Sequence, residues 1–195
     1  MKSSYLRAGA VLACTLALSA CGGSDGDLLL GGSFSGVTKP GLVLTNNGGS
    51  DYAVPVPANG TGTDRFYFPN LVSTDDQYNV EVKARPDNTE KCDVINGRGR
   101  AAFNITTVQI VCTIKTHKLT GTISNLKGQL ELVNGADKVV VPAGATSFAM
   151  TPVFEDAVYG VTVLKNPEGQ TCTIANGSGV MRNTDVTNLA VTCTP

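Results

Sequence analysis

"CTIANGSG" (172–179) and "CDVINGRG" (92–99) are two renderings of one phrase, eighty positions apart. Each begins with Cys, places an apolar β-branched residue two positions on, and continues with Asn-Gly and a second Gly. Such a phrase is either copied chemistry or a copied structural unit, and the flanking residues decide between them. Tyr78, Val80 and Val82 match Tyr159, Val161 and Val163, while Pro86 and Pro167 each follow their Tyr by eight positions. Cys112 and Cys193 close the copies, 20 and 21 positions after the first Cys of each. Upstream, "GLVLTNNG" (41–48) corresponds to "QLELVNG" (129–135), and both lead through turn-rich stretches to Phe66 and Phe148. The chain is therefore a tandem repeat of about 80 residues per copy.

Apolar residues alternate along each copy: Leu130 with Leu132, Val139 with Val141, Phe148 with Met150, Tyr159 with Val161 and Val163, Leu189 with Val191 and Cys193. Period two over short runs, broken by Asn-Gly, Gly-Gly and Pro-Glu-Gly, is the pattern of half-buried strands in a sandwich. Val and Thr are plentiful, and both suit a pleated surface with one side covered. The expectation is six or seven strands per copy and no helix. Asn96-Gly97 and Asn176-Gly177 supply residues tolerant of positive φ, as tight turns between antiparallel strands require, and Gly99 and Gly179 relax the exit into the next strand. "KTHK" (115–118) is a short junction that lets the copies abut.

The N-terminus carries Lys2 and Arg7 and no acid, followed by the apolar stretch "AGAVLACTLAL" (8–18), too short to span a bilayer as a helix. "LSAC" (18–21) then resembles the lipobox of bacterial lipoproteins. That resemblance implies cleavage before Cys21, diacylglycerol on its thiolate sulfur, and acylation of the new amine. The alternative is an ordinary secretory signal with a chance Cys. Three acyl chains would hold the protein firmly where one would not. Gly22, in place of the retention residue Asp, favours sorting to the outer membrane.

Loss of Lys2 and Arg7 with residues 1–20 leaves 13 basic and 16 acidic side chains, a charge of −3. That near-neutrality points to no nucleic-acid partner. Of six cysteines, Cys14 leaves with the signal and Cys21 takes lipid, so Cys92, Cys112, Cys172 and Cys193 remain. An even set in an exported chain reads as disulfides, and three pairings are formally open. Duplication favours Cys92 with Cys112 and Cys172 with Cys193. A zinc site fits poorly, since such sites use closer ligand pairs and usually His, and the chain has one His.

The module also resembles a repeated unit of exported lipoproteins in Gram-negative bacteria. The residues that carry the likeness are "YGVTVLKNPEGQTCTIANGSG" with "LAVTC", and "YNVEVKARPDNTEKCDVINGRG" with "QIVCT". The stretch before each Tyr is similar to prealbumin-like and immunoglobulin-like sandwiches. The resemblance covers nearly the whole mature chain and implies an all-β protein of two tandem Ig-like/prealbumin-like β-sandwich modules behind a lipoprotein signal peptide. The expected boundaries are 1–20 for the signal, 21–31 for a flexible tether, 32–114 and 118–195 for the modules.

Other motifs are weaker. "GRGRAA" (97–102) has no helix pattern after it, so a phosphate loop is not expected. His117 is the single His, sits in the junction, and has no nucleophile partner in its motif. Asp51, Asp75 and Asp76 lack the spacing of a calcium loop. Lys83, Arg85, Lys91, Arg98 and Arg100 gather in the first copy, where the second has Leu164, Asn166, Thr171, Ser178 and Val180. This set is the candidate binding patch for an anionic glycan or lipid headgroup, against a default of solvated surface. No catalytic residue, metal or cofactor is expected. The leading expectation is a non-enzymatic envelope protein held to the membrane by lipid on Cys21, with an envelope protein or glycan as partner. A passive spacer, or an enzyme with an unrecognised site, are the alternatives.

Overall fold

The computed structural model describes residues 26–49 and 51–195, and every regular element among them is a β-strand. Cys21 and the expected signal lie outside the described residues. The first module contains β1 (Leu30–Ser35), β2 (Val43–Asn46), β3 (Tyr52–Ala53), β4 (Asp64–Tyr67), β5 (Gln77–Ala84), β6 (Thr89–Ile95), β7 (Arg98–Arg100) and β8 (Ile105–Ile114). The second contains β9 (Thr116–Ser124), β10 (Leu130–Asn134), β11 (Asp137–Val141), β12 (Ser147–Phe154), β13 (Val158–Lys165), β14 (Thr171–Ala175), β15 (Ser178–Val180) and β16 (Val186–Thr194). Each module thus has eight strands rather than six or seven. The uncounted ones include β3, β7 and β15, two or three residues long, too short to show alternation.

In the first module the sheets run β4-β1-β8-β6 and β3-β2-β5-β7; in the second, β12-β9-β16-β14 and β11-β10-β13-β15. The correspondence is strand for strand. Apolar faces of the two sheets meet in a separate core per module. Leu30, Phe34, Phe66 and Ile110 face Leu44 and Val80 in one; Leu119, Phe148, Leu189 and Val191 face Leu132 and Val161 in the other. Both modules are therefore sandwiches, and the all-β tandem architecture is established.

The glycine-rich stretch expected as tether belongs in part to the fold. Leu28 bridges to Val72, and β1 starts at a fully buried Leu30. Gly32 looks like linker sequence, yet a Cβ there would run into the Val108 carbonyl, so the close approach of β1 to β8 demands glycine. Gly121 does the same against Leu189. "LGGSFSGV" (30–37) and "LTGTISNL" (119–126) are consequently one more repeated phrase. Gly36 and Asn125 occupy its turn with φ of 77° and 63°. At the other boundary β9 begins at Thr116, leaving Lys115 as the single residue between the modules' strands.

The Asn-Gly turns also differ from expectation. β6 and β7 belong to different sheets, so Asn96-Gly97 carries the chain across the sandwich instead of closing a hairpin. Asn96 and Asn176 take φ of 55° and 58°. Gly99 does more than ease an exit: it lies opposite Tyr78 in the β5–β7 ladder, and a Cβ on it would sit 2.7 Å from the Tyr78 hydroxyl oxygen. Gly179 is covered by Tyr159 in the same way, at 2.6 Å. The Tyr and the second Gly of the repeated phrase are thus one packing unit, a ring lying over a residue without a side chain.

The two disulfides join Cys92 to Cys112 and Cys172 to Cys193. Each pair is directly opposite in its antiparallel ladder, with Cα atoms 3.9 and 4.0 Å apart, so the bond lies within one sheet. It fastens the edge strand, β6 or β14, to the module's last strand, with Cys92 in the middle of β6.

Replacing Cys92 and Cys112 together by Ala should lower urea stability by about 3 kcal/mol, the value for closing a loop of this length. Gly179→Val should cost roughly 1–3 kcal/mol by displacing the Tyr159 ring. Tyr159→Ala in that background should add little further loss, which a double-mutant cycle by chemical denaturation would read.

Candidate functional site

Three places carry chemistry: the flank of the first module, the matching flank of the second, and the junction. On the first flank a groove of about 680 Å³ opens between β5 and β6, lined by Val80, Val82, Cys92 and Val94 with Glu81, Asn96, Gly97 and Arg98. β7 pairs with Gln77–Asn79 and the Gly97 carbonyl accepts from Val80 N–H, so β5 beyond Val80 has no strand neighbour on that side. β6 ends its own sheet. Two free strand edges therefore border the groove.

The five cations of the first module do not form one positive field. Lys83 of β5 and Arg98 and Arg100 of β7 belong to one sheet, Lys91 of β6 belongs to the other, and Arg85 stands past the end of β5. Lys83 binds Asp51 at 2.7 Å, Lys91 binds Asp93 at 2.7 Å, and Arg100 binds Asp75 at 3.1 Å. Arg98 donates to Asn79 at 2.7 Å and lies 3.6 Å from Glu81. Arg85 Nε donates to the Thr89 carbonyl. The hydrogen bond to Asp93, with its negative charge, holds the Lys91 amine above the ordinary lysine range. These are exposed pairs, worth little energy each. Their effect is on partners: β6 bears Glu90, Lys91 and Asp93, and charges along an edge strand deter pairing with another chain.

The second flank has the same backbone and different chemistry. β14 reads Thr-Cys-Thr-Ile-Ala and bears no charge at all. β15 pairs only with Val158–Gly160, leaving the end of β13 open on that side. Val158, in the stretch of β13 that β15 covers, is 78% exposed opposite Val180, and Leu164 is exposed on the open stretch of β13. The corresponding surface of the first module is Gln77, Glu81 and Lys83 with Arg98 and Arg100. The asymmetry in the five cations thus marks the second module as the one with an apolar, unguarded edge. The substitutions Leu164, Thr171 and Val180 were its sequence signal; the free edge was invisible without the strand order.

At the junction Lys115 donates its N–H to the Asn88 carbonyl and accepts from Glu155 N–H, both at 2.9 Å. Asn88 is fully buried and donates to Thr38 Oγ1 at 2.9 Å and to Asp156 Oδ2 at 3.3 Å. Its Oδ1 has no hydrogen-bond donor among the described residues. Lys39 reaches across to Asp156 at 2.7 Å and approaches Glu155 at 3.9 Å. His117 sits with Nε2 3.2 Å from Glu155 Oε2 and Nδ1 3.9 Å from Asp185 Oδ1. It is a structural neighbour of the joint. Among the described residues no group of three or more His, Cys, Asp or Glu is placed to hold a metal, and no helix is long and apolar enough to cross a membrane.

No family model and no curated protein matches the chain. Among solved structures it is similar to a streptococcal ancillary pilin, at 10% identity over 86% of this chain with a TM-score of 0.32. It is also similar to two B repeat units of the collagen binding protein of Staphylococcus aureus, at 16% identity, 87% coverage and 0.30. A third is the major pilin protein T-13 of Streptococcus pyogenes, at 11% identity and 0.33, covering 87% of this chain and 97% of that one. The chain spans 63% of the ancillary pilin and 49% of the B-repeat pair.

The hydrogen bond that Lys39 donates to the Asp156 carboxylate raises the Lys39 amine above its ordinary value of 10.5. A raised amine keeps its contribution at every pH below that value and loses it as pH climbs through the folded-state value. Small-angle scattering should therefore show the two modules held in one arrangement at neutral pH and spreading only in strong alkali. Lys39→Ala with Asp156→Ala should show that spreading already at neutral pH.

Proposed function

We propose that this chain is a non-enzymatic, lipid-anchored protein of the cell envelope, in which two sandwich modules in series carry a partner-binding edge away from the membrane. The single observation behind this reading is the parallel pairing of the first and last strands of each module, β1 with β8 and β9 with β16. Parallel neighbours begin at the same pole, so the chain enters each module at one end and leaves at the other. Copies joined by one residue must then extend head to tail. Strands of nine or ten residues make each module about 30 Å long, at roughly 3.3 Å per residue. With lipid on Cys21, the first module is the near segment and the second the far one.

The far module carries the binding edge because its β14 lacks the charges that guard β6. The partner is a protein that adds a strand to β14, with apolar contacts from Val158, Leu164 and Val180. A plain spacer has no need for this difference between the copies.

Two substitutions test the reading. Cys21→Ala should release the protein from the membrane fraction of fractionated cells. Thr173→Lys, which places a charge on the exposed face of β14, should change stability by less than about 0.5 kcal/mol and abolish in vivo photocross-linking from position 158. Membrane retention of the Ala variant would sink the anchor, and unchanged cross-linking in the Lys variant would sink strand addition.

A further inference from the structure

The pole at which the chain enters the first module exposes three large apolar side chains around one short segment. Leu29 is 41% exposed, Leu71 48% and Phe103 75%. Hydrogen bonds of the entering backbone hold them together. The Leu29 N–H donates to Asn104 Oδ1 at 2.9 Å, next to Phe103; Leu28 exchanges hydrogen bonds with Val72, next to Leu71.

The duplication provides an internal comparison. In the second module the Lys118 N–H donates to Asp185 Oδ1, and Val153 pairs with His117, which makes Lys118, Pro152 and Thr184 the equivalents of the three. None of those is a large apolar residue, and that pole faces the first module through Glu155 and Asp156. At these three positions the pole is thus polar in the second module and apolar in the first, while the second module keeps one exposed apolar side chain there, Phe154, opposite Thr116. The chain outside the described residues states what it meets. From Cys21 to Gly26 is five residues, which reach at most about 18 Å when fully extended. A pole so near an acyl anchor lies within reach of the membrane surface.

We infer that this pole is a membrane-docking surface, with Leu29, Leu71 and Phe103 inserted among the headgroups and upper acyl chains of a bilayer, so that the rod stands on the membrane. The inference rests on the lipid anchor proposed above. Asp27 is two positions before Leu29, Asp75 and Asp76 are tied through their backbones to Ala101, two positions before Phe103, and Asp75 engages Arg100. The surface consequently suits a zwitterionic bilayer, and docking there owes nothing to attraction for anionic lipid.

The chain contains no Trp, so Phe103→Trp installs a single reporter at an exposed aromatic position. The full chain, matured and lipidated in cells, would be reconstituted into phosphatidylcholine vesicles with brominated acyl chains. The expected result is co-sedimentation with the vesicles, blue-shifted emission and bromine quenching. Adding Leu29→Ser and Leu71→Ser should remove the quenching while sedimentation persists, and a lone Thr184→Trp reporter should be unquenched throughout. Partly anionic vesicles should quench no better than zwitterionic ones. Co-sedimentation with water-exposed, unquenched emission at position 103 would overturn docking and leave the anchor standing. Failure to sediment would overturn both. Quenching that survives the two Ser substitutions would overturn the assignment of these side chains.

Discussion

Everything in this molecule follows from one ladder used twice: the parallel contact between a module's first and last strands. It places both strands in the middle of their sheet, since β4 must flank β1 and β6 must flank β8. It brings two backbones close enough that Gly32 and Gly121 are the residues that fit. It also separates entrance from exit by the length of the module. A hairpin-built sandwich whose terminal strands were antiparallel would return the chain to its starting end and could not be strung in series through a single residue.

The architecture was legible because duplication made each copy a control for the other. Alternation at Tyr159, Val161 and Val163, repeated at Tyr78, Val80 and Val82, identifies a half-buried strand with no reference to its partner. What stayed hidden were relations between strands. Asn-Gly between two strands normally signals a hairpin, and here it crosses from sheet to sheet, because sequence carries the turn's φ but not the identity of the neighbour. Gly32 of β1 resembles linker for a similar reason: its justification is the Val108 carbonyl, more than seventy residues away.

The candidate site shows the same division. The imbalance of charge between the modules was plain in the residues. Its reading as one basic patch was not supported by their placement, since Lys83, Lys91, Arg98 and Arg100 each lie beside a carboxylate, of which only Asp93, two positions from Lys91 on one strand, was announced by sequence spacing. The information was in the other copy. Leu164 and Val180, seen first as mere replacements for Arg-rich positions, lie by a free sheet edge once the strand order is known.

The cross-strand disulfides acquire a further meaning when the chain is held at one end and loaded at the other. Tension enters a module at Leu30 and leaves at Ile114, along two neighbouring parallel strands. Their ladder is then loaded in shear, so that its hydrogen bonds share the force and must fail together, where a zipper would open them singly. If the ladder gives way, the bond from Cys92 to Cys112 still keeps the 20 positions between them out of the extending chain. That withholds about 70 Å of contour per module, at roughly 3.3–3.6 Å per residue. The staple is thus a limit on stretch, placed on the strand through which tension leaves the module.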